Sequence, residues 1–288
     1  MNLQTSETRN MKNTNENKND SIAYMYCPLT ALLSIIKNGE IYASDPLKMN
    51  DSEELLWFLN ECKHIDNYEQ LLDLLGFEAS IDKIAETILN NGQRNVFISC
   101  FSALDDSLSQ WRGYGDDGKG VAIGFDIKHI AASYLSAVDC KIKYGIPSYN
   151  DIYEYFLEYN SFSDSIDNQK KQIALYNHLL FYSAQYKNPS FRDEKEIRII
   201  FEKYNWLHNV RIEAESLQNS NPYFKTDYRL INNDLDITEY AKIQLPPKNI
   251  KRIVIGPKCK LKVNELKGIL NYYLGYIPDV AKSISPYK

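Results

Sequence analysis

The ten residues from Phe191 to Ile200 contain the side chains best suited to chemistry. They place Glu194, Glu196 and Arg198 at alternating positions, and alternating side chains of an extended chain share one face. The intervening residues are largely apolar, so the pattern predicts a β-strand with one face on a core and two carboxylates and a guanidinium on the other. Such carboxylates could abstract a proton or stabilise positive charge developing on a sugar. The alternative, which the pattern alone favours, is a row of ion pairs on a solvated sheet face.

A second candidate region lies between Ser99 and Phe125. Ser99 and Ser102 supply hydroxyls at the end of a predicted strand. The short helix that follows contains Trp111, Arg112 and Tyr114. Aromatic rings can stack on a base, while a guanidinium and backbone amides can bind phosphate. The alternative is structural, with the rings in the core and the glycines turning a hairpin, because no Walker or GxGxxG pattern is present. Cys100 is a less favoured nucleophile, since free cysteine is usually buried.

Two weaker candidates precede this region. Tyr24 and Tyr26 alternate on a predicted strand that leads into a helix, a position that suits phosphate or ribose, although half-buried packing is the ordinary role of such residues. The loop at residues 48–54 contains acids that could bind a divalent metal. Helix N-capping explains most of that pattern without a metal.

The elements that must position these residues indicate an α+β fold. Residues 1–20 are polar and nearly free of large apolar groups, which predicts a flexible N-terminal arm. Residues 21–288 show no linker or repeat and are expected to form a single α+β domain. Its core is predicted to be a mixed, largely antiparallel β-sheet with helices packed outside it. The charged stretch is expected to lie on a long strand from residue 192 to residue 203.

Composition excludes several classes of protein. The net charge of −5 gives no global basic excess of the kind that a general nucleic-acid binder needs, although a local basic patch stays open. Five widely spaced cysteines without a CxxC motif argue against a disulfide scaffold or a structural zinc site. We expect reduced thiols and a cytoplasmic location, because neither a signal peptide nor a membrane-spanning segment is evident.

Taken in order, the motifs resemble those of a bacterial family of unknown function, DUF2971. The resemblance spans about residues 24 to 258 and rests on the combination, because each motif is short. The motifs are Tyr24-Met25-Tyr26, Asn50-Asp51-Ser52-Glu53, Cys100-Phe101-Ser102, Trp111-Arg112-Gly113-Tyr114, Lys119-Gly120 to Gly124-Phe125, Glu194-Lys195-Glu196-Ile197-Arg198, and Ile250 to Gly256.

The layout is also similar, more remotely, to that of the ADP-ribosyltransferases, in which a split, curved pair of sheets holds NAD in a cleft. This resemblance implies that Glu196 stabilises the oxocarbenium-like state as nicotinamide leaves, with Glu194 as its partner on the acceptor side. Ser102 or Ser99 would take the middle-strand role, and Tyr26 would replace a histidine or arginine of the family. Arg112 or Arg198 would supply the cation for the pyrophosphate. The stacking rings would come from Tyr24, Trp111 and Tyr114.

The function implied is that of an NAD-dependent ADP-ribosyltransferase or NAD glycohydrolase, with NAD as substrate and no metal. The acceptor would be a protein or a nucleic acid. The genes that accompany members of the family in bacterial genomes suggest a toxin or phage-defence effector. Its partner would be an antitoxin or another protein of the same defence system. One alternative is a non-catalytic nucleotide- or nucleic-acid-binding module centred on the Trp111–Tyr114 helix. The other is a metal-dependent nuclease that uses Asp51, Glu53, Glu194 and Glu196.

Overall fold

A computed structural model describes residues 21–49, 53–66, 69–70, 81–90, 95–160, 168–203, 224–231 and 235–287. The strands are β1 (Ile22–Cys27), β2 (Glu40–Ser44), β3 (Val96–Ser102), β4 (Val121–Asp126), β5 (Ala137–Lys141), β6 (Lys143–Tyr144), β7 (Tyr186–Lys187), β8 (Glu196–Glu202), β9 (Lys225–Ile231), β10 (Asp236–Gln244), β11 (Ile250–Ile255) and β12 (Asp279–Lys282). The helices are α1 (Leu29–Asn38), α2 (Glu53–Cys62), α3 (Ile81–Asn90), α4 (Leu108–Gly113), α5 (Ile127–Ala132), α6 (Tyr149–Asn160), α7 (Asn168–Ser183) and α8 (Val263–Leu274).

Within the described residues, ten of these strands join one open sheet. Its main order is β12-β11-β4-β1-β3-β2-β10-β9, and β8 branches from β3 and continues to β5. Strand β3 pairs with β8 along its whole length, from Val96 to Ser102. It meets β1 at the single pair Tyr24↔Ser102 and β2 at the single pair Ser44↔Ile98. All pairings in this sheet are antiparallel except β11 with β12, so the prediction of a mixed, largely antiparallel sheet with surrounding helices is confirmed.

Two apolar cores lie on the two faces of the central strands. One contains Phe97, Phe101, Ile197, Ile199 and Phe201, together with α1, α5 and α8. The other contains alternate residues of the same strands and packs beneath α2, α3 and α7. Both faces of β8 are therefore covered, which explains why all its residues but the last are buried.

The beginning of the chain shows how local sequence sets the elements. Pro28 precedes α1, which buries Leu32, Ile35 and Ile36, and Gly39 ends the helix in the left-handed region at φ 67°. The predicted strand with Tyr24 and Tyr26 that leads into a helix is confirmed. Farther along, Gly120 permits a close backbone approach, because a Cβ there would lie 2.1 Å from the carbonyl oxygen of Cys27.

The charged strand is shorter than predicted. Residues 189–194 form a 3-10 helix, and Lys195 takes a left-handed conformation at φ 47°, so the strand begins at Glu196. The cause is local, because Pro189 fixes its φ angle and the Asn188 side chain accepts a hydrogen bond from Ser190 N at 2.9 Å. The predicted arm at residues 1–20 lies outside the described residues. No helix of the described residues has both the length and the hydropathy needed to cross a bilayer.

Candidate functional site

A cavity of about 130 Å³ lies where β1, β3 and β8 meet. It is bounded by side chains from four strands, from α4 and its C-terminal end, and from the segments that precede α2 and β8. The lining residues are Tyr24, Met25, Tyr26, Met49, Cys100, Phe101, Gln110, Tyr114, Lys187, Glu194, Glu196 and Arg198. The cavity therefore opens at the point where the main sheet branches, which brings distant parts of the chain together.

The floor of the cavity contains an ionic cluster centred on Lys187. Its ammonium nitrogen lies 2.8 Å from Glu194 Oε2 and 3.0 Å from Glu196 Oε2. The lysine side chain is 3% exposed, and the glutamate side chains are 18% and 6% exposed. Lys187 also lies 4.6 Å from the ring centroid of Phe191. The two carboxylates are thus held close together by one buried cation.

Arg198 completes the cluster. Its Nε donates to Glu196 Oε1 at 2.6 Å, and its Nη1 donates to the carbonyl oxygen of Ala184 at 2.9 Å. The backbone N–H of Glu196 donates to the hydroxyl of Tyr144 at 2.8 Å. The solvated ion-pair row that the pattern favoured is therefore wrong, because the row from Glu196 to Arg198 is buried.

The charges of the cluster keep Glu196 ionised. Burial raises the pKa of this carboxyl, but the charges of Arg198 and Lys187 and the hydrogen bonds from Arg198 and the Cys100 thiol more than offset burial, so the pKa lies below its ordinary value. Two acids face two bases, which leaves the floor close to electrically neutral. A ligand that brings positive charge into the cavity would therefore meet the ionised carboxylate of Glu196.

The rim of the cavity is amphipathic. Tyr114 is 44% exposed, and its hydroxyl lies 3.3 Å from Glu194 Oε1. Tyr24 contributes a partly buried ring from β1. Gln110, on the preceding turn of α4, is buried and lines the same space. These side chains can contact a planar group from its face and from its edge.

Tyr26 and Trp111 have structural roles that the ligand-binding hypothesis did not assign. The Tyr26 hydroxyl donates to the carbonyl of Leu104 and accepts from Ser107 N, each at 2.9 Å, and burial raises its pKa. Trp111 is fully buried, packs edge-on against Tyr26 and donates its N–H to Asp106 at 2.6 Å. Its role as a stacking platform is therefore corrected to a core role, because neither ring face is open.

Three further predicted residues do not line the cavity. Ser99 donates to the carbonyl of Tyr42 at 3.2 Å, and Arg112 lies on the surface over the ring of Tyr287 at 5.0 Å. Both are corrected to structural positions. Ser102 supports the site indirectly, because its hydroxyl donates to the Glu194 carbonyl at 2.7 Å. Of the predicted set, the cavity unites Glu194, Glu196, Arg198, Tyr24, Tyr26 and Tyr114.

Sequence reasoning missed Lys187 and did not single out Gln110 for a role of its own. Lys187 lies in a two-residue strand after α7, where β7 pairs in parallel with β6. A lone lysine between a tyrosine and an asparagine gives no signal in the sequence, since its partners come from the segment around β8. Gln110 lies in the predicted short helix, but ligand contacts in that helix were predicted only for Trp111, Arg112 and Tyr114.

A metal site finds no support in the described part of the chain, where no group of three or more histidine, cysteine, aspartate or glutamate residues could hold an ion. The acidic loop proposed for the nuclease alternative includes Asn50, Asp51 and Ser52, which lie outside the described residues. Glu194 and Glu196 are each ion-paired to Lys187.

The segment from residue 110 to residue 199 matches the family model described as "Protein of unknown function (DUF2971)". The predicted resemblance to that family is confirmed over this segment. It contains the charged cluster and the last four residues of α4. Neither the curated proteins nor the solved structures include a match to this chain.

Proposed function

We propose that the cavity binds the nicotinamide–ribose end of NAD and that the protein cleaves the N-glycosidic bond, as an ADP-ribosyltransferase or an NAD glycohydrolase. The observation that carries this proposal is the convergence of Glu194 and Glu196 on one small cavity, with Lys187 between them. The same reaction is the one that the expected, more remote resemblance in layout to the ADP-ribosyltransferases implies.

The chemistry requires a fixed negative charge. The nicotinamide ring of NAD is cationic, and positive charge moves to the ribose as the glycosidic bond breaks. A carboxylate that is already oriented in a water-poor site stabilises this charge without reorganisation. Arg198 and Lys187 hold Glu196 in its ionised form, which satisfies the requirement at neutral pH.

The contacts favour Glu194 as the carboxylate that touches the ribose. Each oxygen of Glu196 already accepts from a cation at 3.0 Å or less. Glu194 is more exposed, and its Oε1 has a contact of 3.3 Å with Tyr114 that a ribose hydroxyl could replace. We therefore assign substrate contact to Glu194 and positioning to Glu196, which exchanges the roles that the resemblance implies.

The size of the cavity limits what it can enclose. Its volume of about 130 Å³ lies below the range of roughly 300–1,000 Å³ typical of sites that enclose a drug-sized ligand. One ring with part of a sugar fits this scale. The pyrophosphate and the adenosine would therefore lie outside the cavity, where the exposed Tyr114 ring offers a stacking surface.

The test is the release of nicotinamide from NAD, with and without bacterial lysate as the source of an acceptor. Glu194→Gln removes the substrate-facing charge and is expected to lower turnover by about 10²–10³-fold. The matched control is Glu239→Gln, because Glu239 is also ion-paired, at 2.6 Å to Lys203, but lies on β10 away from the cavity. Equal nicotinamide release by wild type and Glu194→Gln would refute the proposal.

One observation favours a second candidate, a nucleotide-binding module without turnover. Both oxygens of Glu196 are engaged in ion pairs, as they would be in a purely structural cluster. This candidate predicts that NAD or a related nucleotide binds without loss of nicotinamide, in lysate as well as in buffer. Calorimetry with NAD beside the release assay separates the two candidates.

A further inference from the structure

The side-chain amide of Gln110 is open to the cavity. The residue is 7% exposed and lines the cavity. Its backbone carbonyl accepts from Tyr114 N at 2.9 Å and from Gly115 N at 3.1 Å. Within the described residues the carboxamide forms no hydrogen bond, yet its atoms are not among those fully enclosed without a partner. They are therefore accessible from the cavity and available to a ligand.

The position of Gln110 is fixed by its neighbour. Trp111 follows it in α4, is fully buried and donates to Asp106 at 2.6 Å. The same carboxylate accepts from Ser283 Oγ at 2.6 Å and from Ile284 N at 2.8 Å. Asp106 therefore anchors the helix at the residue next to Gln110, which gives Gln110 the rigid support that a recognition group requires.

We propose that Gln110 recognises the carboxamide of the ring that enters the cavity, and so determines specificity for nicotinamide. This inference rests on the proposed function, which supplies the ring. A glutamine side chain offers an N–H₂ donor beside a C=O acceptor, and another carboxamide presents the same two groups in reverse order. Two antiparallel hydrogen bonds would satisfy Gln110 and orient the ring, while Tyr114 and Tyr24 border its faces.

The proposal predicts discrimination between two ligands that differ at one group. Nicotinate has the same ring with a carboxylate in place of the carboxamide, so it lacks the N–H donor and adds negative charge near Glu194. A site built to hydrogen-bond one group rejects an analogue that leaves a buried partner unpaired. We expect nicotinamide to bind about tenfold more tightly than nicotinate, which corresponds to the loss of one net hydrogen bond.

The experiment measures binding of nicotinamide and of nicotinate to the full chain by ligand-detected NMR. Gln110→Met keeps the length of the side chain and is expected to weaken nicotinamide binding about tenfold, while nicotinate, which can accept but cannot donate, is weakened less. Gln110→Glu, which removes the donor, is the second variant, and native tryptophan fluorescence verifies that both variants fold. The control is Gln244→Met, since Gln244 is exposed and donates to Glu40 at 2.8 Å.

Nicotinamide affinity that is equal in wild type and in folded Gln110→Met, or absent in wild type, overturns the inference. NAD cleavage is measured in parallel on the same samples. If the wild type cleaves NAD but nicotinamide affinity does not depend on Gln110, the inference is refuted and the proposed function is not. Nicotinamide binding that depends on Gln110, without cleavage of NAD, supports the inference and counts against the proposed function.

Discussion

Replacement of Lys187 by methionine removes the charge that holds the two carboxylates together. Lys187 is 3% exposed and contacts Glu194 and Glu196 at 2.8 Å and 3.0 Å. Methionine keeps most of the length of the side chain but leaves both acids without this partner. Removing one member of a buried ion pair costs about 3–5 kcal/mol. We expect the free energy of unfolding of Lys187→Met to fall by that amount at neutral pH.

The size of the effect should depend on pH. The two oxygens contact the same nitrogen and so lie within about 6 Å of each other, where two unit charges repel by about 3 kcal/mol at an effective dielectric constant of about 20. In the variant this repulsion favours protonation of one carboxyl in the folded state. The penalty is then fully present at neutral pH and is relieved as the pH falls, because the folded variant now binds a proton more readily than the unfolded chain.

In the wild type the stability contribution of Glu196 changes with pH in the opposite direction. Burial raises the pKa of Glu196, and Arg198 and Lys187 lower it by more, so this group stabilises the fold above its unfolded pKa of about 4.3 and loses that contribution as the pH falls through the lower folded pKa. The stability difference between wild type and Lys187→Met should therefore shrink between neutral pH and about pH 4.5. This window lies above the unfolded pKa of about 4.3, so the wild type keeps its contribution there while the variant takes up a proton.

Urea denaturation at both pH values, followed by tryptophan fluorescence, measures this difference. Lys203→Met is the matched control, because Lys203 forms a single, more exposed ion pair with Glu239 and should cost much less. A loss of stability that is equal at the two pH values, or no larger than that of the control, would refute the electrostatic reasoning.

Three further predictions concern the support of the site. Gly120→Ala would place a Cβ 2.1 Å from the Cys27 carbonyl oxygen and should destabilise the protein by about 1–3 kcal/mol; an unchanged thermal midpoint would contradict this. Burial lowers the pKa of His178 to about 4, so unfolding should become easier as the pH falls from about 6.5 to that value, and His178→Phe should flatten this part of the urea-midpoint profile. Asp106→Ala removes the acceptor 2.8 Å from Ile284 N and should speed hydrogen exchange of that amide at constant pH; unchanged protection would argue against the contact.

The alternation in the charged stretch predicted which residues share a face. Ile197, Ile199 and Phe201 pack in one core, while Glu196 and Arg198 face the cavity, as a period of two requires. The start of the strand was not predictable from alternation, because the 3-10 helix before it depends on Pro189 and on hydrogen bonds of the neighbouring side chains. Glu194 nevertheless reaches the cavity, from a turn rather than from the strand.

Other parts of the site depend on pairing between distant segments. The sequence of β3 is apolar or small at nearly every position, so it did not show whether its hydroxyls would line the cavity, and neither Ser99 nor Ser102 does. Lys187 meets its acids only because α7 returns the chain to the beginning of β8. The sequence around Trp111 is compatible with an exposed stacking ring and with a core residue. Trp111 is a core residue because its N–H donates to Asp106, which is itself bound by the segment at Ile284.

The two faces of β8 are so unlike that the strand has one permissible alignment. Sliding it by one residue against β3 and β5 would turn Glu196 and Arg198 into the hydrocarbon around Phe97 and Phe101, and would carry isoleucines onto Lys187. The ionic cluster thus favours a single register of β8, because a shifted strand would bury several charged side chains in an apolar environment. A protein that evolves away from the proposed chemistry would still have reason to keep this group of charges.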